Sequence, residues 1–203
     1  MKKKSILGTI LFCLLIAVLA ACSQKYDAQE DFQVRIISDN KAVRITSYLG
    51  IKEAVRIPPR IKRLPVTAIG SQAFMDRHLT SVIIPDSVTV IESKAFTNNK
   101  LRSVAIPKSV TSIGKSAFSN NQLTDVTIPD SVTYIGGRAF AKNQLTVITI
   151  GANVRLGDGD VVWDYYWRRY VPVNAFGNFD RFYKDKGSRA GTYNYDGSRW
   201  HLQ

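Results

Sequence analysis

The chain repeats itself at a fixed interval. Leu79, Leu101, Leu123 and Leu145 are each 22 residues apart. The units between them are nearly identical: LTSVIIPDSVTVIESKAFTNNK (79–100), LRSVAIPKSVTSIGKSAFSNNQ (101–122) and LTDVTIPDSVTYIGGRAFAKNQ (123–144). A unit this short cannot bury an apolar face against itself, so it must stack on its neighbours to build a shared core. That requirement excludes most globular folds before any other residue is considered.

Each recurring slot has a physical reason. Leu79, Val82, Ile84, Val88, Ile91, Ala95 and Phe96 are apolar, and the same slots recur in the next units. Leu79 to Ile84 is rich in residues that suit a strand. Proline at 85, 107 and 129 ends it, because proline has no N–H for the ladder. Asn99, Asn121 and Asn143 form a column whose amides are expected to bond backbone at the turn into the next coil. Ser87, Ser109 and Ser131 are expected to serve a neighbouring turn.

Upstream, Val55, Ile57 and Pro58 match Val82, Ile84 and Pro85, and Ala73-Phe74 matches Ala95-Phe96. The longer interval holds the basic cluster Arg60, Lys62 and Arg63. Phe32, Val34 and Ile36 alternate, as do Val43 and Ile45, around Asp39-Asn40-Lys41, the pattern of a β-hairpin. Such a hairpin over residues 32–54 would cap the open end of a stack, where a bare strand edge invites aggregation. Downstream, Val154 keeps its slot, but the next Ala-Phe pair is Ala175-Phe176, 14 residues late. The remainder, 177–203, alternates at Gly191 to Tyr195 and reads as a second β cap.

The amino terminus carries a different signal. Lys2, Lys3 and Lys4 precede an apolar run from Ile6 to Ala21, the pattern of a secretory signal peptide over residues 1–21. The run closes with Leu19-Ala20-Ala21-Cys22, which resembles the bacterial lipoprotein box. That resemblance implies cleavage before Cys22, lipidation of its sulfur, and attachment to a membrane through several acyl chains. Each buried methylene contributes roughly 0.8 kcal/mol to such anchoring. Residues 22–31 then form a polar tether. Cys13 and Cys22 are the only cysteines. The mature domain therefore has no disulfide and no cysteine metal site.

Removing the three signal lysines leaves 25 Lys and Arg against 16 Asp and Glu, a net charge of +9. Such a field favours anionic surfaces, glycans or acidic proteins. An exported chain is not expected to meet nucleic acid. No zinc-protease helix, phosphate-binding glycine loop or nucleophile elbow is present, and His78 and His201 are the only histidines. Gly157-Asp158-Gly159-Asp160 with Asp164 has fragments of a calcium loop but no bidentate Glu at the right spacing. No enzyme activity, catalytic residue, cofactor or metal is expected.

The motif L-x-x-V-x-I-P-x-S-V-T-x-I-x-x-x-A-F resembles the BspA-like, or Treponema pallidum-type, leucine-rich repeat. The likeness runs from about Asp31 to the carboxyl terminus. It implies a mainly β, right-handed leucine-rich-repeat solenoid of about five coils over residues 55–176, with β-hairpin caps at both ends. Members of the family are surface or secreted proteins, several implicated in adhesion to host matrix or to other bacteria. The resemblance therefore implies a lipid-anchored, monomeric surface protein at the outer membrane or cell surface, binding a host or bacterial protein or glycan. A periplasmic scaffold lipoprotein is the alternative, and an envelope hydrolase is third.

Three surfaces compete for a partner. One is the insertion 158–172, with Trp163, Tyr165, Tyr166, Trp167, Arg168, Arg169 and Tyr170, the residue types that dominate interface hot spots. It either projects as a binding loop or folds back over the end of the core. The second is the outward strand face, including Thr80, Ile83, Arg102, Asp125, Thr127 and Thr149. The third is a basic row, Lys94, Lys115 and Arg138, with Arg60, Lys62 and Arg63 upstream. It suits sulfated glycans or lipopolysaccharide, or serves only as a solvated face.

Overall fold

A computed structural model describes residues 26–152, 154–157, 183 and 186–203, and the backbone of 161–164 and 169–172. The described chain is a β-solenoid whose coils carry two columns of short parallel strands.

The first column lies where strand residues precede the proline. It contains β3 (Ala54–Arg56), β6 (Ser81–Ile83), β9 (Asp125–Thr127) and β11 (Val147–Ile150). The second column follows the proline, at the Val-Thr-x-Ile segment, outside the stretch that the residue types mark as a strand. It contains β5 (Leu64–Ile69), β7 (Val90–Ile91), β8 (Ser112–Ile113), β10 (Tyr134–Ile135) and β12 (Arg155–Leu156). Its register aligns Ile69, Ile91, Ile113, Ile135 and Leu156. The extra residues of the first coil fold locally, with β4 (Arg60–Ile61) pairing antiparallel to β5 across Lys62 and Arg63, both at positive φ. That geometry matches the right-handed strand twist of a tight hairpin.

The two columns are not equivalent. Along the second, Thr89, Thr111, Thr133 and Arg155 each donate a backbone bond to the coil before, at 2.9 to 3.0 Å. Along the first, β3 pairs β6 and β9 pairs β11, but residues 103–105 belong to no strand. The slot held by Ile83, Thr127 and Thr149 is Ala105 in that unit. Losing the β-branched residue there weakens the local strand preference.

The core is a file of repeated side chains. Tyr48, Phe74, Phe96, Phe118 and Phe140 stack with centroid separations of 5.4, 5.0, 5.2 and 5.3 Å. Each ring is essentially inaccessible to water. Stacked aromatic pairs contribute about 0.5–1.5 kcal/mol beyond area burial. The asparagine column welds coils together. Asn121 Oδ1 accepts from Leu101 N at 3.1 Å, and its Nδ2 donates to Phe96 O at 2.9 Å and Phe118 O at 3.1 Å. Asn99 and Asn143 repeat the pattern. Each amide thus bonds the Phe carbonyl of its own coil and that of the preceding one, satisfying backbone that no strand ladder reaches. Ser109 and Ser131 donate similarly to Val88 O and Val110 O.

The two hairpins close different columns. β1 (Phe32–Ile37) and β2 (Ala42–Tyr48) form an antiparallel pair, and β2 continues the second column beside β5. A bulge at Gln33/Val34 interrupts the outermost pairing, and Arg35 sits on that edge strand. Both features discourage edge-to-edge association. At the far end β13 (Val161–Asp164) pairs antiparallel with β14 (Arg169–Pro172). Then β15 (Gly191–Tyr195) lies antiparallel to β11 and is followed by β16 (Trp200–Leu202), closing the first column. Tyr183, fully buried, donates its hydroxyl to Gly151 O at 2.6 Å and meets Tyr193 edge-on. Burial raises the pKa of the Tyr183 hydroxyl, so it stays a neutral donor.

Candidate binding face

Alternation along each first-column strand decides what faces outward. Val82, Val126 and Ile148 point into the core, leaving Thr80, Ser81 and Ile83, then Thr124, Asp125 and Thr127, on the outside. Arg102, Ser103 and Ala105 are exposed between them. Ile83 is 50 % exposed, one of the few large apolar side chains in water among the described residues. The row running across the coils is Arg56, Ile83, then Thr127, Thr149 and Thr192 by strand register. It is bordered by small hydroxyls and carries charge at Arg56, Arg102 and Asp125.

Toward the carboxyl end this face deepens into a groove of about 460 Å³. Thr127, Ile128, Thr149 and Ile150 contribute from the strands, Lys108 and Asp130 from the turn after the proline, and Ala190-Gly191 from the approach to β15. Thr149 and Thr192 hydroxyls lie 3.0 Å apart, tying the cap to the face. Strand-face residues Thr80, Ile83, Arg102, Asp125, Thr127 and Thr149 thus share one surface. The groove was not legible in the sequence, because its wall at Ala190-Gly191 comes from the cap.

The aromatic insertion is only partly placed. Trp163 in β13 and Tyr170 in β14 are cross-strand partners, and Asp164 faces Arg169. Tyr165, Tyr166, Trp167 and Arg168 lie outside the described residues, as do Cys22 and the whole signal segment. Among the described residues no helix is long and apolar enough to cross a membrane, and no group of His, Cys, Asp and Glu could hold a metal ion.

The tether is fastened to the first coil. Asp27 N donates to Arg56 O at 2.9 Å, and its carboxylate accepts from Arg56 N and from Lys52 Nζ, each at 2.6 Å. The Asp27 carboxylate, by hydrogen bond and charge, raises the pKa of Lys52. Beside this anchor point Leu49 and Ile51 stand in solvent, Ile51 almost completely.

Comparison with known proteins agrees with this architecture. The family model for the BspA-type leucine-rich-repeat region matches residues 61–159 in six copies. The crystal structure of a T. pallidum leucine-rich-repeat protein is similar at 28% identity and a TM-score of 0.52, covering 62% of this chain and 72% of that one. A leucine-rich-repeat protein from Bacteroides capillosus is similar at 26% identity and a TM-score of 0.50, covering 62% of this chain and 97% of that one. No curated protein matches the sequence. A 22-residue period, stacked coils and these matches together make the solenoid of this chain a BspA-type leucine-rich-repeat region.

Proposed function

We propose that the protein is a lipid-anchored, non-enzymatic binding protein of the bacterial surface that holds host matrix or neighbouring cells through the first-column face. The observation that carries this reading is the face itself. It is an outward row of short side chains with one exposed apolar residue, Ile83, ending in a groove. Repeat proteins use such extended surfaces for partners. The insertion with Trp163, Tyr165, Tyr166, Trp167, Arg168, Arg169 and Tyr170 follows directly after the last second-column strand and would extend the contact with hot-spot residue types.

Anchoring through Cys22 is supported by the tether. Cys22 is five residues from Asp27, which is bonded to the first coil. Five extended residues reach about 17 Å. A lipid on Cys22 would therefore hold the amino-terminal end of the solenoid near the bilayer and leave the grooved end outermost.

The test is protease shaving of intact cells with a tag at Gln203, beside a lysed control. Removal of the tag from intact cells supports the surface reading. Protection until lysis moves the protein to the periplasm, as a scaffold. Given surface exposure, binding to immobilised matrix proteins should fall at least tenfold in an Ile83→Arg, Thr127→Arg variant that keeps its fold. Undiminished binding by that variant would remove the strand face from the reading.

A further inference from the structure

Acidic residues are missing from a long part of the repeat. Residues 93–124 contain five Lys and Arg and no Asp or Glu. Residues 131–157 add Arg138, Lys142 and Arg155, again with no acid. The fold sorts these cations. Arg102 and Lys108 fall on the first-column side, with Asp125 and Asp130. Lys94, Lys115 and Arg138 fall in the turn after the second column, and Arg155 falls in that column itself. Consecutive turns are bonded directly: Lys94 N donates to Lys115 O at 2.8 Å, and Ser116 N to Gly137 O at 3.0 Å.

Between the strands and the turns runs a floor without side chains. A Cβ at Gly114 would stand 2.5 Å from Ser93 N, and one at Gly136 would stand 2.5 Å from Lys115 N. At Gly157 it would meet the Tyr134 hydroxyl at 2.7 Å. Close coil packing thus forces glycine there. The result is a strip without side chains, here termed the furrow, that crosses successive coils between strand and turn. Ser112, Tyr134 and Arg155 belong to the strands that precede it, and Lys94, Lys115 and Arg138 to the turns that follow. The Arg155 guanidinium lies 4.8 Å from the centroid of the Tyr134 ring. Stacking holds its planar fork in one orientation, as bidentate oxyanion recognition requires. At the amino-terminal end the glycine slot is Glu92, whose carboxylate is occupied by Arg44 Nε at 2.8 Å and Ser71 N at 3.0 Å.

We propose that this furrow binds a linear sulfated polysaccharide laid along the solenoid axis. Lys94 and Arg138 occupy one slot two coils apart, across ring spacings of 5.2 and 5.3 Å. Lys115 stands on the coil between them, one residue earlier in its unit, so the three cations follow the solenoid axis one per coil. A linear polyanion with closely spaced sulfates matches that layout. An anionic bilayer also attracts clustered cations, and the vesicle arm of the test separates the two. The site lies on a different face from the one proposed for adhesion, and it stands whether or not Cys22 is lipidated.

The test uses the full chain in detergent with a heparin oligosaccharide of defined length, its desulfated counterpart, and anionic phospholipid vesicles. The triple variant Lys94→Ser, Lys115→Ser, Arg138→Ser places at each slot a residue that a neighbouring coil already carries, Ser116 or Ser93. The control triple Lys41→Ser, Arg77→Ser, Lys100→Ser removes the same charge elsewhere. The site triple should weaken heparin binding about tenfold or more and flatten its dependence on salt by about two to three ions, since each lost cation contact releases fewer counterions. The control should change binding less than about twofold, because solvated distant charges are screened. Equal weakening in both triples would reduce the effect to net charge and overturn the site. Desulfated glycan binding as tightly, or vesicles outcompeting heparin, would overturn the ligand class. If the triple loses its circular dichroism signature, Lys115→Ser alone should weaken binding about threefold, and an unchanged affinity would overturn the site.

Discussion

Two backbone positions in each of four successive coils adopt the left-handed conformation without glycine. Gln72, Lys94, Ser116 and Arg138 form one column at φ 55 to 62°, and Asp76, Asn98, Asn120 and Lys142 another at 56 to 58°. Each non-glycine residue there costs on the order of 1 kcal/mol, least for asparagine. Asn120 Nδ2 also donates to Asn98 Oδ1 at 2.8 Å, a ladder that stops at Lys142. Lys142→Asn should relieve strain and extend the ladder, raising stability by about 0.5–1 kcal/mol in urea denaturation. Asn121→Ala should do the reverse. It strips the acceptor from Leu101 N and the donor from two buried carbonyls. A loss of about 2–4 kcal/mol is expected, read from the denaturation midpoint. These asparagines were legible as a column in the sequence, because stacking repeats the same need at each step. The direction of their bonds was not, since Asn121 and Leu101 are paired only by the coil geometry.

At the scale of elements, the carboxyl-terminal hairpin depends on a turn built around one carboxylate. Asp196 accepts from Ser198 N and Oγ at 2.8 and 2.7 Å, from Arg199 N at 2.9 Å, and lies 2.6 Å from His201 Nε2. The backbone bond from Arg199, then Ser198 and His201, hold its pKa well below the usual carboxylate range. A depressed carboxylate pKa gives stability that is present above the unfolded value and lost as pH falls below it toward the folded one. Thermal melting of the native chain should therefore weaken between about pH 4 and pH 2 more than that of Asp196→Asn, which has no such group to protonate. Equal acid sensitivity in both would show that the turn does not contribute. The Asp196-Gly197 turn was readable from its residue types. The pairing of β15 with β11 was not, because short strands of similar pattern give no partner by themselves.

For the whole molecule, stability comes from neighbour contacts in one dimension. The unit 101–122 is also the one that breaks the first column. Deleting residues 101–122 would bring β7 against β10 and β6 against β9 in the same slots, and Phe96 onto Phe140. The shortened chain should fold to a soluble monomer with unchanged β-type circular dichroism and a single, somewhat lower unfolding transition. Aggregation or loss of cooperativity would mean that the units are not interchangeable. The same deletion removes Lys115 and should weaken the glycan binding proposed for the furrow.

Periodicity alone was enough to determine a stacked β architecture, its coil length and its core residues, because a 22-residue unit has no other way to bury those apolar slots, and alternation outside the repeat marked its capped ends. Family membership of the repeat region followed from the same residues. The tertiary structure decided what depends on adjacency between distant residues. It gave a second strand column, carried the unbroken ladder on that column, and assigned each hairpin to a different one. It also gathered Lys94, Lys115, Arg138 and Arg155 on the second-column side, apart from Asp125 and Asp130 on the first-column side. A sequence lists charges in chain order, whereas binding depends on which of them the stacking brings side by side.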